Sequence, residues 1–279
     1  HRPFFPRVVQ HHGEDFEFLA RCGFNVVWLR DSPTVEELHA AKKLGMAIIA
    51  PPPRKPILNE EASDWNAMLA WDLGTGLAVT QLDAVTAQAQ TLRREDQVLQ
   101  RPLIAAPSDS LERFSRVADI LLIGRRSSLH DLRLVNWRRE LESAQQSARP
   151  GTPMWVRLHL DASQQLVRQV RVLAPHAANA WQTPHQIARQ AQLAIGSGAK
   201  GLVFASHQSL ASSDSSNKRM LAACELLNRE LKLIEPWLMA GTTTGFATSP
   251  DFARHRGAQR DAEVRPGGGR RTSRSSSPP

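Results

Sequence analysis

Eight short apolar runs alternate with helical stretches along most of the chain, and this alternation limits the possible folds more than any other feature. Several of the runs, such as NVVWL, AIIA and ILLIG, are apolar on both faces, as strands buried in a parallel sheet are. The predicted strands cover residues 4–10, 25–30, 47–51, 68–73, 102–107, 120–124, 154–160 and 201–206. Helical periodicity predicts helices over 14–21, 34–44, 80–94, 109–117, 129–148, 184–197 and 217–234.

Residues that start and stop helices occur where this pattern needs them. Thr34 stands before VEEL, and Thr183-Pro184 stands before HQIA, which are N-terminal helix signals. Gly23, Gly45 and Gly198 follow three of the helices and precede the next strand, as C-terminal glycines do.

Eight strands that alternate with seven helices within about 235 residues match the size of a (β/α)8 TIM barrel. A doubly wound sheet of eight strands is the alternative. The short connections and the lack of a glycine-rich turn after the first strand favour the barrel. We therefore predict a barrel domain over residues 1–246.

The end of the chain differs from the rest in composition. Residues 247–279 are rich in Arg, Gly, Ser and Pro and have no apolar periodicity, which predicts a disordered basic tail. From residue 250 onward seven Arg oppose three acidic residues, so the tail carries +4 of the net charge of +8. The remaining charges are scattered and form no basic stripe, so we expect no nucleic acid partner.

The chain contains no run of about 18–20 uncharged apolar residues, and no membrane span is predicted. Cys22 and Cys224 lie in helical patterns without metal-ligand spacing, which predicts buried free thiols and neither a metal nor another cofactor. The sequence begins HRPFFPRVVQ, without an initiator Met or an apolar signal core. We interpret it as a fragment of a longer chain with further domains.

One phosphate-binding motif is present in the wrong context. Residues 196–201, GSGAKG, spell the dinucleotide fingerprint GxGxxG, but they follow a helix and precede a strand. A phosphate site needs the glycines between a strand and the N-terminus of a helix. Nucleotide binding is therefore disfavoured, and GxSxG, HExxH and Walker A motifs are absent from the sequence.

Polar and aromatic residues follow the carboxyl ends of the predicted strands, where active sites of such barrels lie. Trp71 and Asp72 suggest a sugar-binding pair, because an aromatic ring packs on a pyranose while the acid accepts hydroxyl protons. The candidate catalytic residues are Asp72 and Asp161. The candidate substrate-binding residues are His11, Asp31, Trp71, Arg125, His159 and His207.

Purely structural roles remain open for several of these residues. Adjacent His11 and His12 tend to point apart, which disfavours a shared metal, and Glu14 or Asp15 can cap the helix that follows. Asp31 can cap the second helix. Asp72 can hold a turn at Gly74–Gly76, and Arg125 can be a solvated loop residue.

Two segments resemble barrel glycoside hydrolases of the β-galactosidase-like kind. The first is QIARQAQLAIGSGAKGLVFASHQSL with MLAACELLNRELKLIEPWL, which is similar to their closing units. The second is RPFFPRVVQHHGEDFEFLARCGFNVVWLRDSP, which is similar to their opening. AWDLGTGL is similar to uncharacterised bacterial barrel proteins of the planctomycete type.

The resemblance implies a retaining mechanism with two glutamates, an acid/base after strand four and a nucleophile after strand seven. This chain has Trp71-Asp72 and His159-Leu160-Asp161 at those places. Retaining chemistry needs carboxyl groups roughly 5–5.5 Å apart, and the shorter Asp side chain meets this only in a narrower barrel mouth.

Three hypotheses follow. The first is a barrel that binds carbohydrate and has lost or altered its catalysis. The second is an active glycoside hydrolase that uses Asp72 with Asp161 or Asp31. The third is a structural or interaction module of a larger multidomain protein. A binder is expected to expose Trp71, Trp28 or Trp181 at the mouth, and the resemblance implies an extracytoplasmic location.

Overall fold

A closed barrel of eight parallel strands forms the centre of the fold, which confirms the predicted (β/α)8 TIM barrel. The computed structural model describes residues 4–53, 64–124, 134–161, 168, 172, 183–213 and 215–241. Each strand pairs with the next, and β8 pairs with β1, which excludes the open doubly wound sheet. The strands are β1 (Arg7–Gln10), β2 (Val26–Trp28), β3 (Ala47–Ala50), β4 (Met68–Leu77), β5 (Leu103–Pro107), β6 (Ile120–Gly124), β7 (Met154–His159) and β8 (Leu202–Ala205).

Helices follow the strands and cover the outside of the barrel. They are α1 (Phe16–Arg21), α2 (Val35–Leu44), α3 (Leu82–Glu95), α4 (Leu111–Phe114), α5 (Leu134–Ser147), α6 (Pro184–Gly196) and α7 (Ser215–Ala240). Thr34 and Thr183 form capping boxes with Glu37 and Gln186, as the sequence predicts. Gly45 ends α2 in the left-handed conformation.

Three elements differ from the prediction. Strand β4 continues to Leu77, beyond the predicted end at 73, because its register with β5 shifts twice and Gly74 and Gly76 adopt positive φ angles. Helix α4 is a single turn. Helix α7 extends beyond its predicted end at residue 234, continues through Pro236 and ends at Ala240.

Several predictions fall outside the described residues. They are the candidate site residue Arg125, the aromatic Trp181, the tail 247–279 and the domain boundary after residue 246. The thiols of Cys22 and Cys224 are described, and both are free and buried as predicted. No helix of the described part of the chain is long and apolar enough to cross a membrane.

The buried side chains form two layers, because successive strand residues point alternately into the barrel and toward the helices. The outer layer joins the sheet to the helices. The inner layer fills the lumen and consists of Val8, Val26, Trp28, Ile49, Ala70, Ile104, Ala106, Ile120, Leu122, Trp155 and Val203. The lumen is therefore a packed apolar core.

Gly201 makes room for the indole of Trp155 in the lumen. A Cβ atom at this position would lie 2.9 Å from Cδ2 and 3.0 Å from Cε2 of Trp155. We expect Gly201→Ala to lower the free energy of unfolding by about 1–3 kcal/mol through overpacking, measured by urea denaturation. Adding Trp155→Phe should recover part of the loss, and an unchanged stability of Gly201→Ala would contradict the argument.

Candidate functional site

Three side chains form a polar cluster above the apolar floor of the lumen. The indole Nε1 of Trp28 on β2 donates to Oδ2 of Asp72 on β4 at 3.0 Å. The backbone N–H of Gly74 donates to Oδ1 of Asp72 at 2.8 Å. Arg157 of β7 places its guanidinium carbon 6.0 Å from the centre of a Trp28 ring. Both oxygens of Asp72 thus accept hydrogen bonds from protein groups. Asp72 does bind the backbone of Gly74, but in an irregular strand and not in the predicted turn.

Burial controls the charge of this cluster. Loss of solvent is the main cause that raises the pKa of Asp72, and the two hydrogen bonds and the charge of Arg157 oppose it. The folded chain therefore holds the Asp72 proton more tightly than the unfolded chain does. The raised pKa therefore adds to the free energy of unfolding at pH values below the ordinary pKa of Asp72. This contribution is lost as the pH rises through the raised pKa. Burial also acts on Arg157, whose pKa it lowers. The nearby charge of Asp72 opposes this lowering.

Two histidines stand beside each other at the carboxyl ends of β7 and β8. The rings of His159 and His207 stack with their centres 6.5 Å apart. His159 follows Arg157 by two residues on β7, so both side chains face the same side of the strand. The structure therefore places these two predicted histidines together above Arg157.

Asp161 is buried and supports the neighbouring loop. Its carboxylate accepts hydrogen bonds from the backbone N–H of His207 at 2.9 and 3.0 Å and from the hydroxyl of Ser206 at 3.0 Å. These contacts join the end of β7 to the end of β8.

A buried glutamate ties the first loop of the barrel to the last. Glu14 accepts from the backbone N–H of His12 and of Leu210, both at 2.7 Å. His12 donates through Nε2 to the carbonyl of Ser206 at 2.7 Å, whereas His11 donates to the carbonyl of Glu14 at 2.9 Å. The two histidines thus contact different partners, and Asp15 is the residue that caps α1.

The expected exposure of Trp71 at the mouth is wrong. Its side chain is fully buried in the outer layer, where Nε1 donates to Oδ2 of Asp96 at 2.9 Å. Trp71 and Asp72 are neighbours on a strand, so they point to opposite faces, and Asp72 takes the lumen side. Trp28 is also buried, so neither ring offers an open platform. Asp31 is exposed, and Thr34 rather than Asp31 caps α2.

Arg157 is a site residue that the predicted set of ligand contacts left out, and Trp28 was expected as an exposed ring but is buried in the site. The signal for Arg157 was its place between Trp155 and His159 in a strand with alternating faces. Within the described residues no group of three His, Cys, Asp or Glu side chains is arranged to hold a metal ion. The GxGxxG motif runs from the end of α6 to the start of β8, the reversed order that the sequence predicts.

The chain is similar in fold, and not in sequence, to known carbohydrate-active barrels. No protein-family model matches it, and no curated protein is similar to it in sequence. An endo-β-1,4-mannanase from Thermotoga petrophila has 9% identity and a TM-score of 0.51 over 81% of this chain and 77% of that one. A family 2 β-galacturonidase from Eisenbergiella tayi, solved with galacturonate, has 11% identity and a TM-score of 0.53 over 78% of this chain and 47% of that one.

A candidate α-L-fucosidase from Bacteroides thetaiotaomicron has 11% identity and a TM-score of 0.54, over 81% of this chain and 96% of that one. At such identities the likeness concerns the fold alone. The fold of this protein is accordingly the TIM barrel that these glycoside hydrolases share.

Proposed function

We propose that this protein is a glycoside-hydrolase-like barrel that binds carbohydrate at the carboxyl ends of its strands and has lost or altered the hydrolytic chemistry. The Asp72–Trp28–Arg157 cluster is the observation that carries the proposal. Charged groups above an apolar floor lower the stability of a barrel that serves only as a scaffold. Proteins retain such locally destabilising groups at functional sites. The proposed kinship with planctomycete-type barrel proteins is part of the same hypothesis.

The hydrogen-bonding capacity of the cluster fits a sugar. The carboxylate of Asp72 is partly exposed and can accept from hydroxyl groups through its remaining lone pairs. Arg157 supplies N–H donors on the opposite wall. Because Trp71 and Trp28 are buried, recognition would depend on polar contacts more than on stacking.

The positions and contacts of the described aspartates favour altered catalysis. A retaining hydrolase needs a second carboxyl group close to the first. The Asp161 carboxylate accepts three short contacts from Ser206 and His207 and is buried. Asp31 lies exposed beyond the end of β2. Among the described residues, Asp72 is the carboxyl group that we assign to the lumen cluster.

Two other functions each have one observation in their favour. The raised pKa of Asp72 favours an active hydrolase in which Asp72 is the general acid, since a proton donor must stay protonated near neutral pH. An exposed apolar stripe favours an interaction module: Leu226, Leu233 and Trp237 on α7 are 61%, 76% and 70% exposed.

The test combines glycan binding with turnover of a panel of aryl glycosides, using wild type and Asp72→Asn. We expect the wild type to bind sugar without turnover, and Asp72→Asn to bind about tenfold more weakly because it loses an acceptor. Glu95→Gln, which removes one negative charge at the exposed C-terminal end of α3, should leave binding unchanged.

Two results would redirect the assignment. Turnover that falls by about two to four orders of magnitude in Asp72→Asn would establish an active hydrolase with this acid. Absence of both binding and turnover, from protein whose cooperative unfolding shows that it is folded, would favour the interaction module.

A further inference from the structure

Arg157 is a partly buried cation without an ion-pair partner among the described residues. It forms no ion pair with a carboxylate of the described residues, and its buried Nε has no hydrogen-bond acceptor among them. A guanidinium stays charged at neutral pH. An unpaired charge in this position is costly unless another group satisfies it.

The barrel is built to admit this side chain. Gly124 on β6 is the residue opposite Arg157 in the register between the two strands. A Cβ atom at Gly124 would lie 3.3 Å from Cβ and 3.5 Å from Cδ of Arg157. Trp155 closes the lumen below, and Trp28 lies against the guanidinium. The Arg157 side chain is therefore confined to the wall of the site.

The groups that face Arg157 do not neutralise it locally. Asp72 lies across the lumen, with its two oxygens already bonded to Trp28 and Gly74. Burial raises the pKa of Asp72, and the charge of Asp72 offsets only part of the lowering that burial causes in the pKa of Arg157. His159 and His207 stand above on the same wall, and their ring nitrogens can donate hydrogen bonds. The wall formed by Arg157, His159 and His207 is thus suited to an anion.

We propose that the barrel mouth selects sugars that carry an anionic group, with the anion bound by the guanidinium of Arg157 and a hydroxyl group bound by Asp72. This inference rests on the proposed carbohydrate function. A carboxylate, a phosphate or a sulfate presents oxygens that match the forked donors of arginine. The apolar floor strengthens this attraction, because charges interact more strongly where water is excluded.

The experiment measures binding by calorimetry to matched pairs of methyl glycosides and methyl uronides in the gluco, galacto and manno series. In the pair that binds, we expect the uronide to bind at least about tenfold more tightly than the neutral glycoside. Hexose 6-phosphates and 6-sulfates, tested beside the uronides, identify which anion is the source. The preference should fall as salt rises, because ions screen the attraction.

Arg157→Gln should abolish the preference, because it weakens binding of the uronide much more than binding of the neutral glycoside. Arg157→Lys should keep part of the preference, because it retains the charge without the fork. Arg21→Gln removes the same charge from the far end of α1 and should behave as wild type. The urea midpoint of each variant verifies that it is folded.

The possible outcomes distinguish the anionic selectivity from the carbohydrate-binding function on which it rests. Equal or tighter binding of the neutral glycosides, or a preference that survives Arg157→Gln, would overturn the anionic selectivity and leave the carbohydrate function standing. Absence of binding to every member of the panel, by folded wild-type protein, would overturn both.

Discussion

Replacing Asp96 with alanine is expected to lower the free energy of unfolding by about 3–5 kcal/mol, because it leaves a buried cation without a partner. Asp96 accepts from Nη1 of Arg101 at 3.1 Å, from the backbone N–H of Arg101 at 3.1 Å and from Trp71 at 2.9 Å. The guanidinium of Arg101 lies near two indoles, 5.7 Å from a ring centre of Trp65 and 5.2 Å from one of Trp71. Burial already lowers the pKa of Arg101, and Asp96 is the group that opposes this.

Urea denaturation of two further variants tests this explanation. Glu112→Ala breaks a 2.7 Å ion pair with Arg116 whose partners are both largely exposed, and it should cost less than about 1 kcal/mol. The double variant Asp96→Ala with Arg101→Met should be more stable than Asp96→Ala alone, because it removes the unpaired charge. A single variant as stable as wild type would show that the buried pair is not a support of the fold.

Replacing Glu14 with alanine is expected to cost about 3–4 kcal/mol, since two backbone N–H groups lose a charged acceptor. One belongs to His12 in the first loop. The other belongs to Leu210 in the last loop, 196 residues from Glu14. The loss should therefore loosen the seam at which the barrel closes. Hydrogen exchange should rise in residues 206–210 before it rises in the strands.

Glu17→Ala is the matched control, because Glu17 is an exposed glutamate in the first turn of α1. Its loss removes a favourable interaction with the helix dipole, worth less than about 1 kcal/mol. If the two variants have the same stability and the same exchange, the seam does not depend on the Glu14 carboxylate.

The difference between predicted and observed β4 shows why the site was only partly predictable. The run AWDLGTGL was interpreted as a strand followed by a turn, because two glycines follow Asp72 closely. In the structure the strand continues, and two irregularities in its pairing with β5 absorb the glycines. Register shifts depend on the neighbouring strand, so a sequence pattern cannot reveal them.

The contacts of Trp71 and Asp161 depend in the same way on residues that are distant in the sequence. A strand sequence predicts that Trp71 and Asp72 point to opposite faces, and it does not reveal which of them faces the lumen. On the outside of the barrel, the Trp71 indole donates a hydrogen bond to Asp96, which also pairs with Arg101. Asp161 follows β7 as predicted, but its hydrogen bonds go to Ser206 and His207, which lie 45 and 46 residues further along the chain.

The sequence by itself determined the number of strands, the order of strands and helices, and the helix ends at Thr34, Gly45 and Thr183. These features depend on apolar periodicity and capping within a few residues, so the local chain contains the information. Only the tertiary structure decided that Arg157 faces Trp28 and Asp72 without an ion-pair partner among the described residues. That cluster joins three strands, and its charges depend on burial that exists only once the barrel is closed.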